Sequence, residues 1–468
     1  MAPGHFMHPV RYPPLVFAAG YIFSVLYLTY AVVNSLYASY KSPGPVSNTR
    51  SRIHQRRKFI PVFSALAIAA FSIAAYWSVK SATLSYRTWS HQHGLDLDSW
   101  LRDENGKPIT DTNTSIQQHI QLIANWLSDT PVYSDSLEIV AERARRFWWG
   151  QQIDLGTTAF SLILATEGRR RKIPLLTAFL ALAHLVNLSF AQNLFFLALL
   201  LTPSPLPSGN EDLKLPVPPL PRSVWVRLRS GLMLPKPSGW VPDARFFYTA
   251  IILNSTLTLA LPICAWSSAF TKAALLARAS TFLPVLLPNI IPVNWGSVQR
   301  RPHGTYKSST KLFKFLSTIS LVLHVTISII ALLSDGPDSH RHRHIDILSW
   351  NVEKRLRWER STTAVGKVLG STLDHPAVAA VGWDVLLCAL GLGVWAAVRS
   401  INARDIMSLS IPYYDSECPP LSGRARRKEI WRDEVLNFLE SDEAEVRAAA
   451  QRAGSRGAMV AGSTIGSS

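Results

Sequence analysis

Long apolar runs set off by short basic clusters constrain this chain more than any other feature. They cover about Pro14–Tyr37, Phe59–Val79, Ile173–Leu201, Phe246–Ala265, Phe313–Leu333 and Ala377–Val398. A helix of about 20 apolar residues spans the hydrocarbon core of a bilayer. Trp and Tyr gather near the run ends and Lys and Arg fill the connections, which is the pattern of a polytopic membrane protein. The expected fold is an all-α polytopic transmembrane helical bundle with seven or eight spans over residues 1–400. A soluble tail, cytosolic or peripheral, follows over 401–468; it is partly helical and expected to be disordered at its Gly- and Ser-rich end.

The net charge of +17 sits largely in connecting segments and in the tail, where it orients helices and meets anionic headgroups. No base-reading module accompanies it, so the expected partner is membrane lipid and not nucleic acid. The first run lacks a small-residue cleavage site and is expected to stay as an anchor. Cys264, Cys388 and Cys418 are isolated and show no metal-ligand spacing. No internal repeat points to an inverted-repeat transporter.

Charge also predicts sidedness. The basic linker from Lys41 to Lys58 belongs in the cytosol, which leaves the N-terminus in the lumen. Residues 80–144 then form a lumenal loop, in agreement with a glycosylation sequon at Asn113, Thr114 and Ser115. A third span begins at the collar Arg145–Trp149 and ends at the Arg-rich turn Glu167–Lys172, expected in the cytosol; a fourth, Ile173–Leu201, returns as its antiparallel hairpin partner. The Pro-rich stretch 202–242 reads as an extended lumenal loop. Lys272–Val293 is apolar but interrupted by Pro284, Pro288 and Pro292, and is either a kinked span or a re-entrant segment. If it crosses, this reading places the basic loop Arg300–Lys314 in the lumen, against its charge.

The chemistry available inside the runs is limited to a few polar groups. Asp154 lies one to two turns into the third span, and helical spacing sets Gln151, Asp154, Thr158 and Ser161 along one face as a polar seam. Asp384 lies in the last span next to Trp383. His184, Asn187, Gln192 and Asn193 fall in the fourth run, and His324 and Asn254 elsewhere. A carboxyl in an apolar setting costs roughly 2.5–3.5 kcal/mol to insert and is expected to have a partner or a use. A buried acid can protonate an epoxide or alkene, and Trp faces can stabilise the carbocation that forms. The same groups would also suit a proton-coupled carrier. Single histidines on apolar faces make no metal site, and Glu167 beside four basic residues reads first as an interfacial ion pair.

The runs WWGQQIDLGTTAFSLILATEGRRRKIP, HLVNLSFAQNLFFLALLLTP and GWDVLLCALGLGVWAAVR together resemble a family of fungal integral membrane proteins that includes the terpene cyclase of ascofuranone biosynthesis. The resemblance covers about a third of the chain. It implies a metal-independent cyclase of the endoplasmic reticulum that needs no cofactor and closes an epoxidised isoprenoid chain in meroterpenoid biosynthesis. No DDxxD-like cluster of the kind that holds magnesium against diphosphate is present, which disfavours a prenyltransferase. On this reading Asp154 or Asp384 is the acid, with Glu167 in reserve. Trp148, Trp149 and Trp383 form the walls, and Gln151, His184, Asn187, Gln192 and Asn193 bind substrate. The alternative is a non-catalytic or transport protein of the same membrane.

Overall fold

The computed structural model describes residues 12–41, 58–94, 112–202, 240–298, 302–334 and 357–398. The tail over 401–468, nearly all of the Pro-rich loop and the connection 335–356 lie outside the described residues. The architecture is all-α apart from one short ladder. Helix α1 (Tyr12–Lys41) leads to α2 (Ile60–Gln92), which starts on Pro61 and continues well past Val79. The expected lumenal loop is mostly helical, as α3 (Thr112–Asp129) and α4 (Val132–Ala141). Indole N–H groups pin α3 to α2: Trp89 donates to Asp129 (3.1 Å) and Trp126 to Ser85 (3.2 Å). Asn113 falls in the first turn of α3 and not in a loop. Next comes α5 (Ala144–Ile163), closed by a π-turn over Leu164–Gly168.

The fourth apolar run is not one helix. The chain turns through two left-handed residues, Lys172 and Leu175 (φ 54° and 59°), forms α6 (Leu176–Leu185), breaks at Val186 and Asn187, and resumes as α7 (Leu188–Leu201). At 1.5 Å per residue these are roughly 15 and 21 Å long, and neither alone spans a core of about 30 Å. Their directions follow from contacts with α5. Gly168 lies against Leu176 and Phe195, Gly156 lies against Leu188, and Arg171 donates to the carbonyls of Leu199 (2.9 Å) and Thr202 (3.2 Å). Helix α6 therefore runs antiparallel to α5, and α7 comes back parallel to it. The pair enters and leaves at the C-terminal end of α5, which replaces the expected two-span hairpin. Asn187 makes the break: its extended backbone starts α7, its Oδ1 accepts from the Phe190 N–H (3.0 Å) and its Nδ2 donates to the Ala70 carbonyl (3.1 Å).

Every residue from Leu188 to Leu200 is buried, so α7 is the centre about which the others pack. Helix α2 runs against it in the opposite direction, with Phe63 on Phe196 (5.5 Å) and Phe71 on Phe190 (5.4 Å). Beyond it lie α8 (Ala244–Cys264), α9 (Phe270–Ser280) and α10 (Leu283–Ile290). The Pro-interrupted segment is α9 and α10 together, bent by 59°, with Pro284 in the first turn of α10 and Pro288 inside it. It begins beside the C-terminus of α8 and ends at strand β2 (Gly296–Val298), which pairs antiparallel with β1 (Trp240–Pro242) just before α8. The bent pair thus travels the length of α8. Glycine is required at 296, where a Cβ would meet the Trp240 ring at 2.5 Å.

Helix α11 (Pro302–Ser334) packs antiparallel along α5, and α12 (Arg357–Gly370) links it to α13 (Pro376–Val398), which runs parallel to α7. Trp395 of α13 stacks on Phe196 (4.7 Å). Among the described residues α1, α2, α8, α11 and α13 are long and apolar enough to cross a membrane, and the bent pair α9–α10 makes a sixth if counted as one span. Many of their outward residues are large and apolar, among them Phe17, Ile68, Leu321 and Leu386. The molecule is an all-α membrane protein, with five or six spans by length and composition.

Candidate functional site

Asp384 is 5% exposed and both of its oxygens are in use. The backbone N–H groups of Leu188 and Ser189 donate to Oδ2 (3.0 Å) and Oδ1 (2.8 Å), and the Cys388 thiol donates to Oδ1 (3.8 Å). A carboxylate from α13 thus caps the start of α7, where orphan N–H groups and the positive end of the helix dipole favour an anion. Both oxygens of Asp384 are thus engaged at a helix start. Its neighbour Trp383 is 44% exposed on the outer face and does not wall a pocket, because adjacent helical residues point about 100° apart.

Glu167 is engaged as an ion pair. It accepts from Arg170 Nε (2.7 Å) and Nη2 (2.6 Å) and from Arg171 Nε (2.6 Å). Burial alone would raise its carboxyl, but the hydrogen bonds and charges of Arg170 and Arg171 outweigh that and hold it below its ordinary value. The remaining expected residues also make hydrogen bonds, although the buried Oε1 of Gln151 and Oδ1 of Asn193 have no partner among the described residues. The Trp148 indole donates to Ser328 (2.8 Å) and that of Trp149 to the Val368 carbonyl (3.2 Å), tying α5 to α11 and α12. Gln192 donates to the Cys388 carbonyl (3.1 Å) and Asn193 to that of Ser189 (2.8 Å), where Gly391 lets α13 approach. With Asn187 at the helix break, these groups serve packing.

The polar seam of α5 is used position by position. Gln151 Nε2 donates to His324 Nδ1 (2.8 Å), Thr158 hydrogen-bonds Asn254, and Ser161 donates to the Thr281 carbonyl (2.5 Å). Asn254 in turn donates to the Ala277 carbonyl (3.0 Å) and the Ser280 hydroxyl (2.8 Å). The seam therefore joins α5 to α8, α9 and α11. Asp154 is the exception: no described residue donates to its carboxyl or pairs with it. It lies deep in the protein and keeps partial exposure.

The charge that acts on Asp154 is that of Arg278 in α9. Arg278 Nη1 donates to the Tyr133 hydroxyl (2.6 Å) and the His184 carbonyl (3.3 Å), and its guanidinium stands 5.3 Å from the Tyr133 ring centre. His184 is fixed as well. The Thr281 hydroxyl donates to the Arg278 carbonyl (2.7 Å), so its oxygen accepts from His184 Nε2 (2.7 Å) and leaves Nδ1 as the bare nitrogen. Phe282 stacks on the imidazole at 5.5 Å. Tyr21 of α1 donates to the Leu185 carbonyl, completing the end of α6. The opposed ends of the broken pair are thus met by matching charge, with Arg278 at the C-terminus of α6 and Asp384 at the N-terminus of α7.

Of the predicted residues, Asp154 and His184 are brought to this site. Arg278, Tyr133, Thr281 and Phe282 were not singled out, because each lies at a helix end or in a segment read as a loop. Among the described residues, no group of three or more His, Cys, Asp or Glu is placed to hold a metal ion. The fold defines an all-α integral membrane protein, with Asp154 and Arg278 as charged groups among its packed helices. Comparison with protein-family models, curated proteins and solved structures returns no match.

Proposed function

We propose that this chain is a membrane-bound cyclase that acts on an epoxidised isoprenoid, with Asp154 as proton donor, of the kind its sequence resembles among fungal meroterpenoid cyclases. One observation carries the reading: of the carboxyls Asp154, Asp384 and Glu167, only Asp154 has no described hydrogen-bond donor, and it keeps partial exposure deep in the protein. In the reaction the Asp154 carboxyl gives its proton to the epoxide oxygen as a C–O bond breaks. An alkene of the same chain attacks the carbon left behind, and the final cation loses a proton, which restores the acid. Substrate and product are isomers, so no co-reactant is consumed. Phe282, which stacks on His184, replaces the tryptophans as the aromatic face assigned to the site.

The proposal includes seven membrane crossings, by α1, α2, α5, α8, the bent pair α9–α10, α11 and α13, with α6–α7 as a re-entrant pair. It places the chain in the endoplasmic reticulum with Asn113 in the lumen. A proton-coupled carrier is the second reading, favoured by the interrupted pair α6–α7, since transporters build ion and substrate sites where half-helices meet. Here, however, those ends are already filled by Asp384, Arg278 and Tyr21. The test is conversion by yeast microsomes carrying the chain, supplied with a panel of epoxyfarnesyl phenols and scored by mass spectrometry. A same-mass product lost in Asp154→Asn at unchanged protein level is expected. Undiminished product in Asp154→Asn would sink the assignment of the acid.

A further inference from the structure

Helix α12 divides its surface into three sectors. At about 100° per residue, Ala364 and Val368 share one side, and both are buried. Trp358, Val365 and Leu369 fall together on the next sector, within about 40° of one another, and all three are exposed, Trp358 by 76%. Arg360 and Lys367 are exposed on the far sector. Leu373, just past the helix and 87% exposed, adds a further apolar side chain at its end. One sector thus meets protein, one carries charge, and the apolar one between them stands open.

Three contacts fix where α12 sits. The Trp149 indole donates to the Val368 carbonyl (3.2 Å), the Ser371 hydroxyl donates to the Arg145 carbonyl (3.1 Å), and Arg145 pairs with Asp374 (2.9 Å). Arg145 and Trp149 belong to the basic and aromatic collar at the start of α5, and such collars mark the boundary between membrane and water. The spans on either side of α12 in the chain, α11 and α13, present outward apolar residues such as Ile329, Leu333, Trp383 and Leu386. The open sector therefore adjoins a surface that is already apolar. Exposed cations such as Arg360 and Lys367 are disfavoured in hydrocarbon and favoured at its edge, where they reach phosphate and water.

We infer that α12 is an interfacial helix whose partner is phospholipid. It lies along the leaflet surface at the N-terminal end of α5. Trp358, Val365 and Leu369 enter the boundary between head groups and acyl chains, and Arg360 and Lys367 face phosphate and water. Through Trp149 and Arg145 the leaflet surface then holds the start of the helix that carries Asp154. The inference rests on the membrane fold alone and stands whether or not the chain is a cyclase.

The experiment uses the full chain in phosphatidylcholine vesicles and follows the Trp358 emission, obtained as wild type minus Trp358→Phe. Phosphatidylcholines brominated at different depths are the probes. At an insertion depth of about 5–10 Å, bromines near the head group quench this component at least about twofold more than bromines at the chain ends, and aqueous iodide quenches it weakly. A component quenched by iodide and indifferent to bromine overturns the inference in favour of a solvated helix. One that neither quencher reaches overturns it in favour of protein cover, such as a second copy of the chain. Photolabelling of the wild type needs no variant: a phosphatidylcholine carrying a diazirine beside its head group marks Val365 and Leu369. Absence of label from both overturns the inference even where Trp358→Phe folds poorly.

Discussion

Asp154 and Asp384 look alike in sequence, a single carboxylate in each of two apolar helices, and differ entirely in what surrounds them. Two backbone N–H groups that have no other partner end on Asp384. Asp384→Asn replaces one acceptor oxygen with a donor and removes the charge that faces the helix dipole. It is expected to cost about 1–3 kcal/mol, seen as a lower melting temperature in detergent. Asp154→Asn leaves no donor stranded and is expected to change stability by less than about 1 kcal/mol while abolishing turnover. A large loss of melting temperature in Asp154→Asn, with none in Asp384→Asn, would reverse these roles. The insertion cost of a carboxylate says that each needs an answer inside the bundle. Which one is answered by backbone depends on where a distant helix breaks, and residue spacing carries no trace of that.

At the scale of elements, the broken pair α6–α7 is held at its open end by a short chain of contacts. Glu167 orients Arg171, and Arg171 satisfies the carbonyls of Leu199 and Thr202 at the end of α7. Because the folded-state pKa of Glu167 lies below its ordinary 4.5, this clasp contributes fully above pH 4.5 and is lost as pH falls through the lower folded value. Wild type is therefore expected to lose stability on acidification in that range, and Glu167→Gln to show a flatter acid limb from a lower starting stability. Melting curves taken down the acid range check this, and superimposable limbs would remove the clasp. The helices α1, α8, α11 and α13 were legible from apolar length to within a few residues at most of their ends. The break in the fourth run was not, because a single Asn within so long an apolar run is also compatible with a buried polar group inside a spanning helix. Only the meeting of Asn187 with Ala70 and of Asp384 with Leu188 makes the break affordable.

For the whole molecule, that single break changes how the chain is threaded. With one span where α6–α7 stands, charge counting forced a choice between a crossing Pro-interrupted segment and a basic loop at Arg300–Lys314 on its preferred side. On the proposed re-entrant pair the conflict disappears: α9–α10 would cross, and the start of α2, the turn Glu167–Lys172, the end of α7 and the start of α11 share one end. Helices α5 and α13 then run in the same direction. The prediction is a labelling pattern. Single cysteines at Leu175, Thr202 and Lys311 react with an impermeant maleimide from one side of sealed microsomes, and those at Tyr133 and Ser267 only after the vesicles are opened. Residues Leu175 and Thr202 decide the matter, since a spanning fourth helix puts them on opposite faces and a re-entrant pair puts them on the same one. Opposite labelling of these two would restore the continuous span and move every later helix to the other orientation.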